Sequence, residues 1–343
     1  MTSYEVGTTM RQAKLYRYSL PMDSGVILRE QKLTAREGWI VELSDNGRVA
    51  LGEIAPLPGF SQESLEAAGV QAQAQLELWV HHQSTDIENC YPSVAFGLST
   101  ALLELDNQLP NEGNYRAAPL CSGDPDELIP KLNNMQGKKV AKIKVGLYEA
   151  IRDGMIVSLL LESIPDLTLR LDANRSWTLD KAKQFAKYVA PSLRQRIAFI
   201  EEPCQQPGDS VSFAIDTGIA IAWDETLQAS VHQSDFAVKH LTGVKALVIK
   251  PTLVGSIDKC IALIEEAKNH AIQVVISSSL ESSVGLGQLA RLANWLVPDE
   301  TPGLDTMQLF GAQLETPWPA CLLPVQPLSE QTLYWQSHSD DAA

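Results

Sequence analysis

The sequence predicts an α/β protein: a modified (β/α) TIM barrel carrying an N-terminal α+β capping domain. Three observations lead there. Six short runs rich in Val, Ile and Leu lie between residues 140 and 277 and alternate with amphipathic helical stretches, the pattern of parallel βα units. Each run closes on a polar residue (Lys144, Asp172, Glu201, Asp224, Lys250, Ser277), and these fall about 28, 29, 23, 26 and 27 residues apart, one βα unit each time. The first hundred residues lack this repeat and read instead as antiparallel strands followed by helices. The expected division is a cap over 1–110, completed by 306–343, and a barrel over 111–305.

In the cap, alternating stretches at 13–20, 39–43 and 49–54 predict strands, with Asp45-Asn46-Gly47 as a hairpin turn between the last two. Helical patterns follow at 62–79 and 93–105. Two Gly/Pro-containing loops, 21–25 and 55–60, join these strands to their neighbours. The barrel strands are expected at 140–145, 167–172, 197–201, 219–224, 246–250 and 274–277, with helices at 148–164, 179–188, 257–271 and 285–296. From about Cys321 the chain is polar, contains Pro324 and Pro327, and is expected to pack on the cap before fraying.

Composition narrows the function. With 45% apolar and 20% charged residues, the chain of 343 residues can bury an ordinary enzyme core. A formal charge of −15 argues against nucleic acid and anionic membrane as partners. No signal-peptide pattern and no membrane-length apolar run is read. The five scattered cysteines lack CxxC spacing, so reduced, packed thiols and a cytoplasmic location are expected, for a monomer or small homo-oligomer. The six histidines (His81, His82, His232, His240, His270, His338) fall in helical or terminal stretches and are expected to be surface or packing residues. Phosphate-loop and GxGxxG patterns are missing, which disfavours a nucleotide cofactor.

The chemistry lies at the strand ends, because parallel barrel strands converge there on one cavity. Lys142 and Lys144, in Ala-Lys-Ile-Lys-Val-Gly, share a strand face. Two ammonium groups forced together lower each other's pKa and prepare a base; on an exposed edge strand they would simply be solvated. Arg170, Asp172 and Asn174 alternate in the same way. Asp172, Glu201 and Asp224 form a hard oxygen-ligand set suited to Mg²⁺, with Mn²⁺ as the other candidate. The adjacent Glu202 and Glu225 are expected to point away or to support that set. Lys250, before Pro251, brings a cation to the opposite side. Hydroxyls at Ser277, Ser278 and Ser279, and the Gly303 amide one unit later, offer a cradle for a substrate carboxylate. Arg170 and Asn174 are further candidates for substrate contact. No histidine at a strand end could activate a serine nucleophile.

The run Lys-x-Lys, then Asp, Glu and Asp, then Lys resembles the enolase superfamily in its muconate-lactonizing branch. Longer strings, among them Tyr-Arg-Ala-Ala-Pro-Leu-Cys, Arg-Leu-Asp-Ala-Asn-Arg, Val-Ile-Lys-Pro-Thr-Leu and Ser-Ser-Ser-Leu-Glu-Ser-Ser, resemble its o-succinylbenzoate synthase family over about residues 12–325. The resemblance implies a Mg²⁺-dependent lyase of menaquinone biosynthesis. Such an enzyme dehydrates 2-succinyl-6-hydroxy-2,4-cyclohexadiene-1-carboxylate to 2-succinylbenzoate through a metal-stabilised enediolate. It further implies Asp172, Glu201 and Asp224 as metal ligands, Lys144 as the residue that removes the α-proton and protonates the departing hydroxyl on the same face, and Lys250 as electrostatic support opposite. Lys142 would tune Lys144, and Ser277 and Gly303 would hold the succinyl carboxylate. The same residues would serve an N-acylamino acid racemase or dipeptide epimerase of the superfamily, and a non-catalytic metal-binding scaffold is the reading from another class.

Overall fold

The computed structural model describes residues 10–23, 25–28, 31–241 and 243–337. Ser24 in the first cap loop, His338 and the Ser/Asp/Ala end lie outside them. β1 (Gln12–Pro21) leads into a short hairpin, β2 (Ile27–Leu28) and β3 (Gln31–Lys32), and then into β4 (Ala35–Asp45) and β5 (Arg48–Ile54). β1, β4 and β5 pair antiparallel. Asn46 and Gly47 turn the β4–β5 hairpin with positive φ angles of 54° and 76°, as the Asn-Gly signal requires.

The cap sheet has two working faces. Ala13, Leu15, Trp39, Val41 and Leu43 pack on the helices α1 (Leu65–Val80) and α2 (Pro92–Leu105). Tyr18, Leu20 and Ile40 point the other way, into the core shared with the barrel. Ser64 caps α1, its hydroxyl accepting from the Ala67 amide at 3.1 Å. Gly52 lets β5 lie directly on α2, since a Cβ there would fall 2.0 Å from the Gly97 carbonyl oxygen.

The barrel sheet holds seven parallel strands: β6 (Leu120–Cys121), β7 (Lys139–Lys144), β8 (Leu167–Asp172), β9 (Ile197–Glu201), β10 (Ile221–Trp223), β11 (Ala246–Ile249) and β12 (Gln273–Ile276). They follow one another in space in chain order. The segment carrying Gly303 completes the ring: Gly303 bridges Ser277 on one side, and the Pro302 carbonyl accepts from the Ala118 amide on the other. Phe199, Ala222, Ala246, Val248 and Val275 fill the interior, while Leu169, Leu171, Ile200, Ile221 and Ile249 face the surrounding helices. Consecutive residues on opposite faces are what strand geometry dictates.

Beyond the barrel, β13 (Gln313–Leu314) pairs with β14 (Val325–Gln326), and β15 (Thr332–Gln336) returns to the outer edge of β1. The polar end is thus a strand of the cap sheet rather than a simple packed tail. The β2–β3 hairpin, β6 and the helices Pro125–Asn133 and Pro207–Thr217 are also additions to the elements expected above. The five cysteines are free thiols. Among the described residues no helix is long and apolar enough to cross a membrane.

Candidate active site

The strand ends meet beneath the cap around a cavity of about 430 Å³. Its floor carries Lys142, Lys144, Asp172, Asp224 and Lys250; one wall carries Ser277, Ser278, Ser279 and Gly303. Val26, Leu28, Leu57 and Phe60 from the cap close the top. Of the residues expected from the sequence, Asn174 also lines the cavity, with Glu201 buried just beneath its neighbours. The two cap loops expected to cover the site contribute Gly25, Leu57 and Phe60.

Lys142 and Lys144 do share one face of β7, since Ala141, Ile143 and Val145 are buried in the core on the other side. Their circumstances differ. The Lys142 ammonium lies 2.9 Å from Asp172 Oδ2 and 2.8 Å from Glu201 Oε2. Burial opposes its charge, but Asp172 and Glu201 outweigh that and hold its pKa above the usual lysine value. The expected mutual lowering is therefore not what governs Lys142, whose ammonium is in contact with two carboxylates. Among the described residues Lys144 makes no ion pair, and its side chain is exposed to the cavity.

Lys250 Nζ sits 2.7 Å from Asp224 Oδ2, and Gln228 donates to Asp224 Oδ1 at 2.6 Å. As the side chains stand, the carboxylates pair with these ammonium groups, and among the described residues no three His, Cys, Asp or Glu side chains form a metal-ligand cluster. The donor set nevertheless fits a hard divalent cation. Asp172, Glu201 and Asp224 stand on three neighbouring strands, Glu201 and Asp224 nearly fully buried. Burial and the charges of Asp172 and Asp224 push the Glu201 carboxyl above the usual carboxylate range, against the pull of Lys142. Such crowding of buried negative charge is relieved by a cation.

Glu202 explains how Asp224 is held. It adopts φ 43° and turns away from the cavity, accepting from the amides of Asp224 (3.1 Å) and Thr226 (2.7 Å) and from Arg175 Nε (3.2 Å). Glu225 does not point away. It lines the cavity, accepts from Asn174 Nδ2 at 3.4 Å, and its Oε2 is buried without a hydrogen-bond partner among the described residues.

Two expectations need correction. Arg170 is not a cavity residue: it lies one pleat deeper, 3% exposed, donates to the Thr301 carbonyl at 2.6 Å and rests against the Phe199 ring. The Gly303 amide is not free to hold a carboxylate, because it donates to the Ile276 carbonyl at 2.9 Å. Glycine is needed there for space, since a Cβ would come 2.8 Å from Ser277 Oγ. The serines divide in a way the sequence does not reveal. Ser277 Oγ donates to the Gly303 carbonyl at 3.1 Å and Ser278 Oγ donates to Glu281 at 2.9 Å, whereas the buried Ser279 Oγ has no partner among the described residues.

Residues 10–105 match the family described as MenC, N-terminal domain, and residues 127–315 match the one described as enolase C-terminal domain-like. An o-succinylbenzoate synthase of Vibrio cholerae serotype O1 (strain M66-2) is 67% identical over 330 residues, covering 96% of this chain and 99% of the relative. One from Aliivibrio salmonicida is 60% identical over 328 residues, covering 96% and 100%. Among solved structures, the o-succinylbenzoate synthase from Thermosynechococcus elongatus BP-1, complexed with Mg in the active site, superposes with a TM-score of 0.71. It is 23% identical and the match covers 91% of this chain and 97% of that one. The L-Ala-D/L-Glu epimerase of Bacillus subtilis superposes at 0.69 with 18% identity, covering 88% and 91%. At these identities the two structures speak to the shared fold alone.

Proposed function

The chain belongs to the o-succinylbenzoate synthase family of the enolase superfamily, and from that premise we propose how its barrel mouth performs the family's dehydration. The reaction removes water from 2-succinyl-6-hydroxy-2,4-cyclohexadiene-1-carboxylate and leaves aromatic 2-succinylbenzoate. The observation that carries this reading is the pair of lysines, Lys144 and Lys250, on separate strands either side of the carboxylates in one cavity.

Lys144 as the free amine takes the proton from the ring carbon bearing the carboxylate. The electron pair moves into the carboxylate to give an enediolate. Lys144, now an ammonium, returns the proton to the neighbouring hydroxyl; the C–O bond breaks, water leaves and the ring becomes aromatic. One group serves both transfers, so hydrogen and hydroxyl depart from the same face. Lys250 faces the ring from the other side and balances the developing charge electrostatically. Asp172, Glu201 and Asp224 would hold a divalent cation, Mg²⁺ with Mn²⁺ as alternative, which when bound would supply fixed positive charge for the substrate carboxylate. Lys142 keeps Asp172 and Glu201 in place through its two ion pairs. Ser279 Oγ, the serine hydroxyl without a partner among the described residues, is the natural donor to the succinyl carboxylate. The apolar roof of Val26, Leu28, Leu57 and Phe60 suits the ring and keeps water out.

Purified protein with Mg²⁺ is expected to consume the diene absorbance of the cyclohexadiene substrate, and chelation to stop it reversibly. Lys144→Ala and Lys250→Ala should each lose at least about a thousandfold in kcat while still folding. The melting temperature should hold in Lys144→Ala and fall in Lys250→Ala, which leaves the buried Asp224 without its ion pair. Persistent diene absorbance with the wild-type protein would sink the dehydratase reading. Racemisation of N-succinylamino acids, measured in parallel by polarimetry, would establish the two-base alternative.

A further inference from the structure

The buried contact between cap and barrel contains a charge that the reaction described above does not use. Arg36 of β4 is 1% exposed, and among the described residues no carboxylate lies within ion-pair distance of it. All five of its N–H donors go to backbone carbonyls. Nη2 donates to Ala55 at 2.7 Å and Ser279 at 3.2 Å; Nη1 donates to Pro56 at 2.8 Å and Glu37 at 3.1 Å; Nε donates to Leu280 at 2.8 Å. Ala55 and Pro56 immediately precede Leu57 in the cavity roof. Ser279 and Leu280 belong to the opposite wall. One rigid guanidinium fork therefore fixes the span between roof and wall.

A neighbouring strand grips the same wall with the opposite polarity. Glu53 of β5 accepts from the Ser282 amide (2.8 Å), the Ser282 hydroxyl (2.6 Å), the Gly285 amide (2.7 Å) and the Tyr18 hydroxyl (2.6 Å). Arg36 takes carbonyls at 279 and 280, and Glu53 takes amides at 282 and 285. Sliding or tilting this segment would orphan buried groups at both ends, each costly to leave unpaired. Leu280 is held with φ 60°, a left-handed conformation rare for a branched residue, so the loop's shape depends on these bonds.

We propose that Arg36 is a positioning residue for the substrate: it sets the gap between the Leu57 roof and the Ser279 wall, and so fixes where the Ser279 hydroxyl stands relative to the catalytic lysines. This rests on the dehydratase reading of the cavity. Arg36 touches no reacting atom, and the bonds it makes are the same in ground and transition states. Its loss acts on KM far more than on kcat.

The test uses the full-length protein with Arg36→Met and Arg36→Lys. Steady-state turnover of the diene substrate should show KM raised on the order of tenfold in Arg36→Met with kcat within about threefold, because binding common to both states is lost. Arg36→Lys should fall between, keeping the charge but not the planar fork. Hydrogen exchange should quicken in segments 55–61 and 277–282 while 167–172 and 246–249 are unchanged. Folded variants with unchanged KM, or exchange that quickens uniformly, overturn the proposal in favour of a merely structural role. If neither variant folds, the wild-type protein decides: adding 2-succinylbenzoate should slow exchange in both segments together, and protection of one alone overturns it. Wild-type protein that leaves the diene untouched removes the dehydratase reading, while the exchange comparison of wild type with Arg36→Lys still reports on the clamp.

Discussion

Ser277, Ser278 and Ser279 are chemically identical and sit side by side, yet their environments assign them different work. Two spend their hydroxyl donors on the protein, on the Gly303 carbonyl and on Glu281. Removing Ser279 Oγ breaks no hydrogen bond to any described residue. Ser279→Ala should therefore leave the melting temperature unchanged while raising KM about tenfold, the loss of one hydrogen bond to a charged group; a drop in melting temperature with KM unchanged would show that the hydroxyl serves the fold instead. Which strand-end residues share a cavity was legible from the sequence, because a period of one βα unit brings them together whatever the loops do. How deep each sits was not. Arg170 and Asp172 share a face by strand parity, but two residues of rise, about 6–7 Å, place Arg170 within the barrel against Phe199 and Thr301. Likewise a sequence says that glycine admits close approach at 303, but not that its amide is already taken by Ile276.

At the scale of elements, six barrel strands, β7 to β12, were legible to within one or two residues, since burial on both faces produces unbroken apolar runs, whereas the two-residue β6 is too short to leave such a run. β15 was not: every residue of Thr332–Gln336 is exposed or half-buried, so an edge strand held by backbone pairing leaves no alternation to read. The helix Pro125–Asn133 was hidden for another reason, the proline at 130 inside it. The short helix that follows Asp224, Glu225–Ser230, ends near a contact with a pH consequence. His232 Nε2 donates to the Leu253 carbonyl at 2.8 Å, leaving Nδ1 to accept from Lys259 Nζ at 3.1 Å. Burial, together with Lys259 and against the Leu253 hydrogen bond, holds the His232 pKa below 6.5. A base whose folded pKa is depressed contributes stability fully present above its unfolded value and lost as pH falls toward the folded one. Melting temperature should thus fall between pH 7 and pH 5, and His232→Gln should flatten part of that slope. An identical slope in the variant would show that other groups carry the acid sensitivity.

Considered whole, the molecule gives the cap a core of its own on one face of its sheet and a core shared with the barrel on the other. Tyr18, Leu20, Ile40 and Leu57 of the cap belong to the same buried cluster as the barrel strands and helices. The last strand returns past the whole barrel to pair with β1, the first strand of the cap. A barrel expressed without its cap would expose that shared apolar surface and strand the bonds that Arg36 and Glu53 make to 279–285. The two parts should consequently unfold together. Calorimetry of the intact chain is expected to give one transition with equal calorimetric and van't Hoff enthalpies, and a fragment of residues 111–305 should fail to fold. Two resolved transitions, or a soluble barrel fragment with native-like near-ultraviolet circular dichroism, would show that the interface is a docking surface between independent domains. Cooperative unfolding would instead mean that the cavity roof and floor form and fail as one unit, as a site shared between them requires.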